Sequence, residues 1–518
     1  MYLRPMRTDA RSGPTLPFLV VFLSSACVMV IELVASRLIA LHVGSNLYTW
    51  TSIIAVVLTG LTVGNLAGGA LADRVGRRAG ALLAWLLVAA GFSSLAIVVA
   101  VDPVFAGTVA SLPLASRALL GVAIVFFVPA AVLGAVSPLA ATWAISTRAR
   151  LGFTVGTLYA VGSFGAIVGT LLTGFVLIAY VGSIAIMVGV AAVLALCGLT
   201  VHRRLPTLVG AVFVLTVAGV VLVGRPTWIP AAAAEHGEVV YVAETRYQTV
   251  AVAHDPWTGA RTVVLDNLVH GFVVPEDPTL LVYPYIAAYA AAHEVARERA
   301  GRPLRSLHLG GGAFTLPRFV AAAFAGDEIV AVEIDPGVTM ANHAAAGLPL
   351  PPPFEVVHAD AREAVRDLAG AGRTFDLVYA DAFTDYSIPY HLATVGFYRQ
   401  LRAVLADDGA VLFNVIDDPR FPRMLASLVA TAGVVFERVE VLAMGPDSDE
   451  NARNTFVVVA GSGDLTAREV VDRAAAGGLE VAVRVAADLA GRLGGRPPVV
   501  LTDAFAPVER LVAHLYGR

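Results

Sequence analysis

The sequence predicts two unlike parts in one chain: an N-terminal α-helical transmembrane bundle, then a C-terminal α/β Rossmann-like domain preceded by a small β-hairpin unit. Three observations carry this. Hydrophobic residues make up 57% of the 518 residues and charged residues 15%, whereas soluble domains carry about 25% charged residues. Charge is also split along the chain. Before residue 230 the acids are Asp9, Glu32, Asp73 and Asp102 against 13 arginines; the remainder holds 36 acids and 23 arginines. Net charges of +9 and −13 imply two domains in two environments. Finally, from residue 304 strand-like and helix-like runs alternate, the pattern of a parallel sheet with helices on its faces. The expected boundaries are 1–223 for the membrane part, 224–240 for a Pro/Ala-rich linker, 241–300 for the β-rich unit and 301–518 for the α/β domain.

Apolar runs long enough to cross a bilayer lie near 17–40, 50–72, 80–101, 118–145, 154–180, 183–201 and 206–223, giving seven spans, or eight if 103–116 also crosses. The first run lacks a small-residue cleavage site and is followed by further spans, so it reads as a span and not as a cleaved leader. Arginines cluster in alternate connections: Arg4, Arg7 and Arg11; Arg74, Arg77 and Arg78; Arg148 and Arg150; Arg203 and Arg204. Such loops stay cytoplasmic, which places the protein in the cell membrane with its N-terminus inside. Seven spans put the soluble half outside and eight put it inside, so its side stays open. Gly60, Gly64 and Gly68, and Gly165 and Gly169, recur at four-residue spacing, which lets helix backbones approach closely; packing is the expected role and a transport path the other. Glu32 and Arg37 place charge in or near the first span, where a partner or a cavity is expected.

The acidic soluble half excludes nucleic acid as a partner, which needs a basic face. Cys27 and Cys197 are the only cysteines, so neither a disulfide framework nor a zinc site is expected. Valines at 250, 252, 263 and 264 flank the turn Asp255-Pro256-Trp257-Thr258-Gly259, the signature of a β-hairpin. Strands are expected at 304–309, 328–334, 355–358, 375–379 and 410–415, with helices following Gly310-Gly311-Gly312 and over 395–405. Ligands of such sheets bind at the carboxyl ends of the strands. Four features fall there: the glycine turn, Glu333, Asp360 and Asp381. Glycines let a ligand approach the backbone. An acid about 20 residues past them can accept hydrogen bonds from ribose hydroxyls; Glu333 lies at that distance. Asp360 is placed to accept from an adenine amino group. A dinucleotide site is disfavoured, because Gly-Gly-Gly-Ala-Phe-Thr lacks the third glycine of that fingerprint.

The runs Leu307-His308-Leu309-Gly310-Gly311-Gly312, Val332-Glu333-Ile334-Asp335-Pro336, His358-Ala359-Asp360-Ala361 and Leu377-Val378-Tyr379-Ala380-Asp381 resemble the spermidine synthase (polyamine aminopropyltransferase) family. Glu244-Thr245-Arg246-Tyr247-Gln248 and Val264-Leu265-Asp266 resemble its N-terminal hairpin. The membrane half resembles the fused bacterial form, in which a multi-pass domain comes first. The resemblance is best over 241–416 and implies a methyltransferase-type Rossmann-like fold. It further implies Asp381 as the catalytic aspartate, Asp385 as a second acid, and Tyr283 near the reacting amine. Gln248, Gly310, Gly311, Gly312, Glu333, Asp360 and Ala361 would bind decarboxylated S-adenosylmethionine or S-adenosylmethionine as co-substrate, without a metal. The implied partners are an amine substrate and the lipid bilayer; homo-oligomerisation stays open. The sequence departs from the family at Ala313, where an aspartate usually binds the donor's amino group, at His270, at Pro284, and in the longer loop Ala382-Phe383-Thr384-Asp385. Three activities therefore stand: aminopropyl transfer, methyl transfer, and nonenzymatic sensing or transport.

Overall fold

The computed structural model describes residues 15–146, 151–224, 229–383, 386–444, 453–463, 465–478, 481–484 and 486–517. The chain divides into two compact units, Met1–Trp228 and Ile229–Arg518.

In the first unit seven helices are long and apolar enough to cross a membrane: Leu16–Val43, Leu47–Val75, Ala79–Thr108, Leu114–Ile145, Leu151–Tyr180, Ser183–Val201 and Leu205–Val223. Among the described residues there is no eighth. The stretch 103–116 instead extends the third helix by a π-helical turn, Pro103–Thr108, and then turns into the fourth at Leu114. The spaced glycines are packing devices. A side chain on Gly60 would meet the carbonyl of Phe127 at 2.9 Å, and one on Gly68 would meet Ala135 Cα at 2.6 Å, so the second helix lies directly on the fourth. Gly165 and Gly169 lie likewise on the backbones of Phe22 and Ala26.

The second unit opens with four antiparallel strands: β1 (Glu238–Glu244), β2 (Thr249–His254), β3 (Arg261–Leu265) and β4 (Leu268–Val273). The Asp255 carboxylate accepts from Trp257 N–H (2.9 Å) and the Thr258 hydroxyl (2.7 Å), which forms the β2–β3 turn expected there. Asp266, with φ +51, makes the tight β3–β4 turn, and its carboxylate accepts from Thr249 N–H at 2.9 Å. Part of β1 and the helix Ala231–Ala234 lie in the stretch read as a linker. Ala233 packs with Ala251 and Val264, which gives those residues a core to join.

Eight further strands follow: β5 (Arg305–Leu309), β6 (Glu328–Val332), β7 (Glu355–Val357), β8 (Phe375–Ala380), β9 (Leu405–Asp417), β10 (Arg438–Met444), β11 (Asn454–Gly461) and β12 (Val481–Arg484). They form one mixed sheet in the order β12-β10-β11-β9-β8-β5-β6-β7, with β9-β8-β5-β6-β7 parallel and β11 antiparallel beside β9. This is the expected Rossmann-like α/β fold, extended past the fifth parallel strand by three strands the sequence did not disclose. Period-two alternation splits β5 between two cores. Leu307 and Leu309 join the face covered by helices Ala361–Gly370, Val395–Val404 and Arg423–Ala432. Ser306 and His308 point to the other face, covered by helices Pro284–Ala300, Thr315–Ala323 and Ala467–Ala476. From β5 the chain winds outward to β6 and β7, then returns to lay β8 and β9 on the other side. The point of reversal lies between β5 and β8, where ligands of such sheets bind.

Candidate active site

Two periodicities assemble a cleft at that reversal point. Tyr379 on β8 and Asp381 just past its end are two residues apart and share a face; His308 on β5 and Gly310 just past its end do the same. On helix Pro284–Ala300, Tyr285, Tyr289 and His293 are four apart and form one stripe. The stripe covers the strand residues. Ring centroids lie 5.7 Å apart for Tyr285 and Tyr289, 5.0 Å for Tyr289 and Tyr379, and 4.8 Å for Tyr379 and His308. Behind them His293 joins the Tyr379 hydroxyl (3.0 Å) to the Asp327 carboxylate (2.7 Å). The cleft, about 360 Å³ including its open mouth, is lined by His270, Tyr285, Tyr289, His308, Gly310, Gly311, Ala313 and Asp381, among others.

Asp381 follows β8 directly, and its N–H donates to Leu309 O at 2.8 Å. Its Oδ2 accepts from the Tyr285 hydroxyl at 3.0 Å and its Oδ1 from Asn414 Nδ2 at 2.8 Å. Burial pushes its carboxyl above the ordinary value, while the two hydrogen bonds pull it back. Glu333, at the end of β6, is buried; its Oε2 accepts from Gly311 N–H at 2.8 Å and its Oε1 from Asp335 N–H at 2.9 Å. Burial raises its carboxyl as well. Glu333 and Asp381 thus flank the same glycine turn from the two strands beside β5. Burial holds the His270 imidazole down to about 4 and lifts the Tyr283 hydroxyl to about 12.

The structure separates other candidates. Tyr283 precedes Pro284 and packs its ring on Phe272 (5.0 Å) and Tyr285 (5.6 Å); the tyrosine bonded to Asp381 is Tyr285, two residues on. Asp360 caps helix Ala361–Gly370 through Oδ1, and its Oδ2 pairs with His391 Nε2 at 2.9 Å. Asp360 and Ala361 lie past β7, outside the residues lining the Asp381 cleft. Gln248 is half-buried in the β1–β2 turn, where its carbonyl accepts from Thr245 N–H at 2.9 Å. Gly312, with φ +51, sits against the His270 carbonyl. Asp385 lies outside the described residues. Sequence reasoning missed Tyr285, Tyr289, His308 and Asn414. The four-residue tyrosine spacing was a readable signal for the first two; Asn414, inside an apolar strand, gave a weaker one.

No family model and no curated protein matches the chain. The solved structures that resemble it include spermidine synthases and a methyltransferase. A probable spermidine synthase from Corynebacterium glutamicum covers 52% of this chain and 98% of its own, at 20% identity and a TM-score of 0.44. The spermidine synthase from Thermotoga maritima covers 45% of this chain and 75% of its own, at 18% identity and a TM-score of 0.35. Human methyltransferase-like protein 13, in complex with SAH, covers 44% of this chain and 98% of its own, at 21% identity and a TM-score of 0.31. These likenesses concern the fold; the chemistry of the cleft is carried by its own side chains.

Ala313 has a packing reason. Its side chain is buried with Val250, Val263, Val273 and Val338, against the backbone of Gly271. A carboxylate in its place would enter an apolar cluster, at the cost of desolvating a charge. Among the described residues lining the cleft, Asp381 is the one carboxylate.

Proposed function

We propose that this protein is a multi-pass membrane transferase that moves an alkyl group from an S-adenosylmethionine-type sulfonium to an amine. The observation that carries the reading is Asp381. Its carboxylate is lifted by burial, stands at the reversal point of the sheet, and faces a cleft walled by tyrosines. Aromatic faces attract organic cations, which suits both a sulfonium and an amine acceptor. Glu333 and the glycine turn would take the nucleoside ribose, and Asp360 its base.

The reaction asks little covalent chemistry of the protein. The neutral amine nitrogen attacks the carbon bonded to sulfur. The C–N bond forms as the C–S bond breaks, and the electron pair leaves on a neutral thioether. The nitrogen sheds a proton to Asp381. General-base assistance of this kind gives about 10²–10⁴-fold, and holding nitrogen and carbon in line adds an entropic advantage.

With decarboxylated S-adenosylmethionine the group transferred is aminopropyl and the acceptor a polyamine-type amine; this is the first reading. Methyl transfer from S-adenosylmethionine is the second, and Ala313 favours it, because the wall holds no carboxylate there for a donor ammonium. The test is product analysis by mass spectrometry on the full chain in lipid nanodiscs, with either donor and a set of amines. Turnover that falls at least a hundredfold in Asp381→Asn supports the reading; turnover unchanged in that variant overturns it. The alternating arginines favour a cytoplasmic N-terminus; seven spans would then put the second unit on the opposite side, which is the point left to be read. A reporter fused after residue 240 reads that side directly.

A further inference from the structure

We propose that Tyr285 and Asn414 are positioning residues that clamp the Asp381 carboxylate and set the pH at which it accepts the amine's proton; this rests on the transferase reading above. The two donors come from different elements and take different oxygens. Tyr285 stands one residue past Pro284 at the head of its helix and bonds Oδ2. Asn414 stands on β9, the strand beside β8, and bonds Oδ1. Together they fix the plane of the carboxylate and hold it against rotation.

Asn414 is costly in its place. It is 4% exposed, inside the buried run Leu412, Phe413 and Val415 of β9. A carboxylate accepts only from Nδ2, so the bond to Asp381 decides which way the amide faces. That orientation leaves Asn414 Oδ1 buried and without a hydrogen-bond partner. An orphaned buried acceptor costs about 1–3 kcal/mol, and a β-branched apolar residue would suit the strand better. What the amide does at this position is hold Asp381.

The other groups facing Asp381 do not change charge near neutral pH. Tyr283 faces it from just before helix Pro284–Ala300, Tyr285 and Tyr289 from the helix itself, and burial holds all three hydroxyls protonated; Tyr379 on β8 is held the same way. His308 on β5 and His270 on β4 are kept neutral by burial. Glu333, across the glycine turn, is a buried carboxylate outside the cleft lining and needs its own control.

Each donor stabilises the ionised form of Asp381, so losing either raises its proton affinity. In Tyr285→Phe and Asn414→Val the acid limb of the kcat profile moves up by about one pH unit. At the optimum kcat falls about tenfold or more, and KM for the donor stays within about threefold. Glu333→Gln leaves that limb in place. A loss of kcat with an unmoved limb, or no change in either, overturns the clamp. A second measurement separates this from the activity itself: isotope-edited infrared titration of the Asp381 carboxyl on the full chain, with Asp381→Asn subtracted. If neither donor is turned over by the wild type, the transferase reading fails. The clamp is then judged by whether that titration moves upward in the two variants; an unmoved titration overturns it.

Discussion

Gly310 lies flat against the backbone of Asp381. The parallel ladder runs one residue past the strand ends, with Gly310 N–H donating to Val332 O at 2.9 Å and Asp381 N–H to Leu309 O at 2.8 Å. A side chain on Gly310 would overlap the Asp381 carbonyl, and φ of +107 is a conformation other residues rarely adopt. Gly310→Ala is therefore expected to lower the stability of the second unit by more than about 2 kcal/mol and to abolish donor binding. Gly372→Ala is the control: φ there is +68, but nothing lies within 4 Å of the added methyl, so the cost is the left-handed strain alone, about 1–2 kcal/mol. Thermal unfolding of the full chain measures both. Equal losses would show that the closeness of the two loops is not what the glycine serves.

Glu333 accepts from two backbone N–H groups with its two oxygens. Glu333→Gln keeps one acceptor and sets an amide N–H against the other donor, so donor affinity should fall about 10–100-fold, the worth of a charge-assisted hydrogen bond. Stability follows the direction of the shift. Burial raises Glu333 from 4.5, so the native state favours the protonated form. That contribution is full below pH 4.5 and is lost as pH rises through the native value. The glutamine variant lacks this slope. The stability difference between wild type and variant, followed by denaturant unfolding from pH 4 to 8, should shift against the wild type as pH rises. A flat difference would mean Glu333 titrates as an exposed carboxyl does.

Much of this arrangement was legible in the chain, for physical reasons. Seven apolar runs and an alternation of strands and helices are long-range patterns, and they fixed both architectures. Gly310, Glu333 and Asp381 were legible because each must stand at the end of a strand, and strand ends can be counted. The approach of Tyr285 to Asp381 spans 96 residues and depends on how helix Pro284–Ala300 lies across the sheet. No local pattern encodes that, and the sequence pointed to Tyr283. Strands β10, β11 and β12 were missed because β11 inserts antiparallel between β9 and β10, a pairing that periodicity cannot register.

The cleft-side imidazoles make a separate prediction. Burial holds His270 and His293 down to about 4 and His308 well below the usual value of 6.5. A depressed imidazole contributes stability that is full above pH 6.5 and is lost as pH falls through the native value, near 4. In His270→Gln that loss is absent at this position. Between pH 6.5 and 4 the wild type should lose stability relative to the variant, measured by denaturant unfolding at pH 7, 5.5 and 4. A difference constant across that range would show His270 to be protonated as freely in the folded chain as in the unfolded one.

Asp360 and His391 give the last prediction. Oδ1 of Asp360 is committed to its helix, accepting from the N–H groups of Arg362 (2.9 Å) and Glu363 (3.2 Å). Oδ2 is taken by His391 Nε2 at 2.9 Å. A nucleoside amino group bonded to Asp360 must compete for that second oxygen. Removing the competitor in His391→Ala should tighten donor binding about fivefold, the worth of one net hydrogen bond near 1 kcal/mol. Asp360→Asn retains the capping oxygen and presents an amide N–H where the base would donate. Its stability should change by only a few tenths of a kcal/mol, as between good caps, while donor affinity falls about tenfold. Calorimetric titration of the full chain with S-adenosylmethionine and its decarboxylated form reads both variants. If His391→Ala weakens binding, the imidazole is itself a nucleoside contact and Asp360 serves the helix alone.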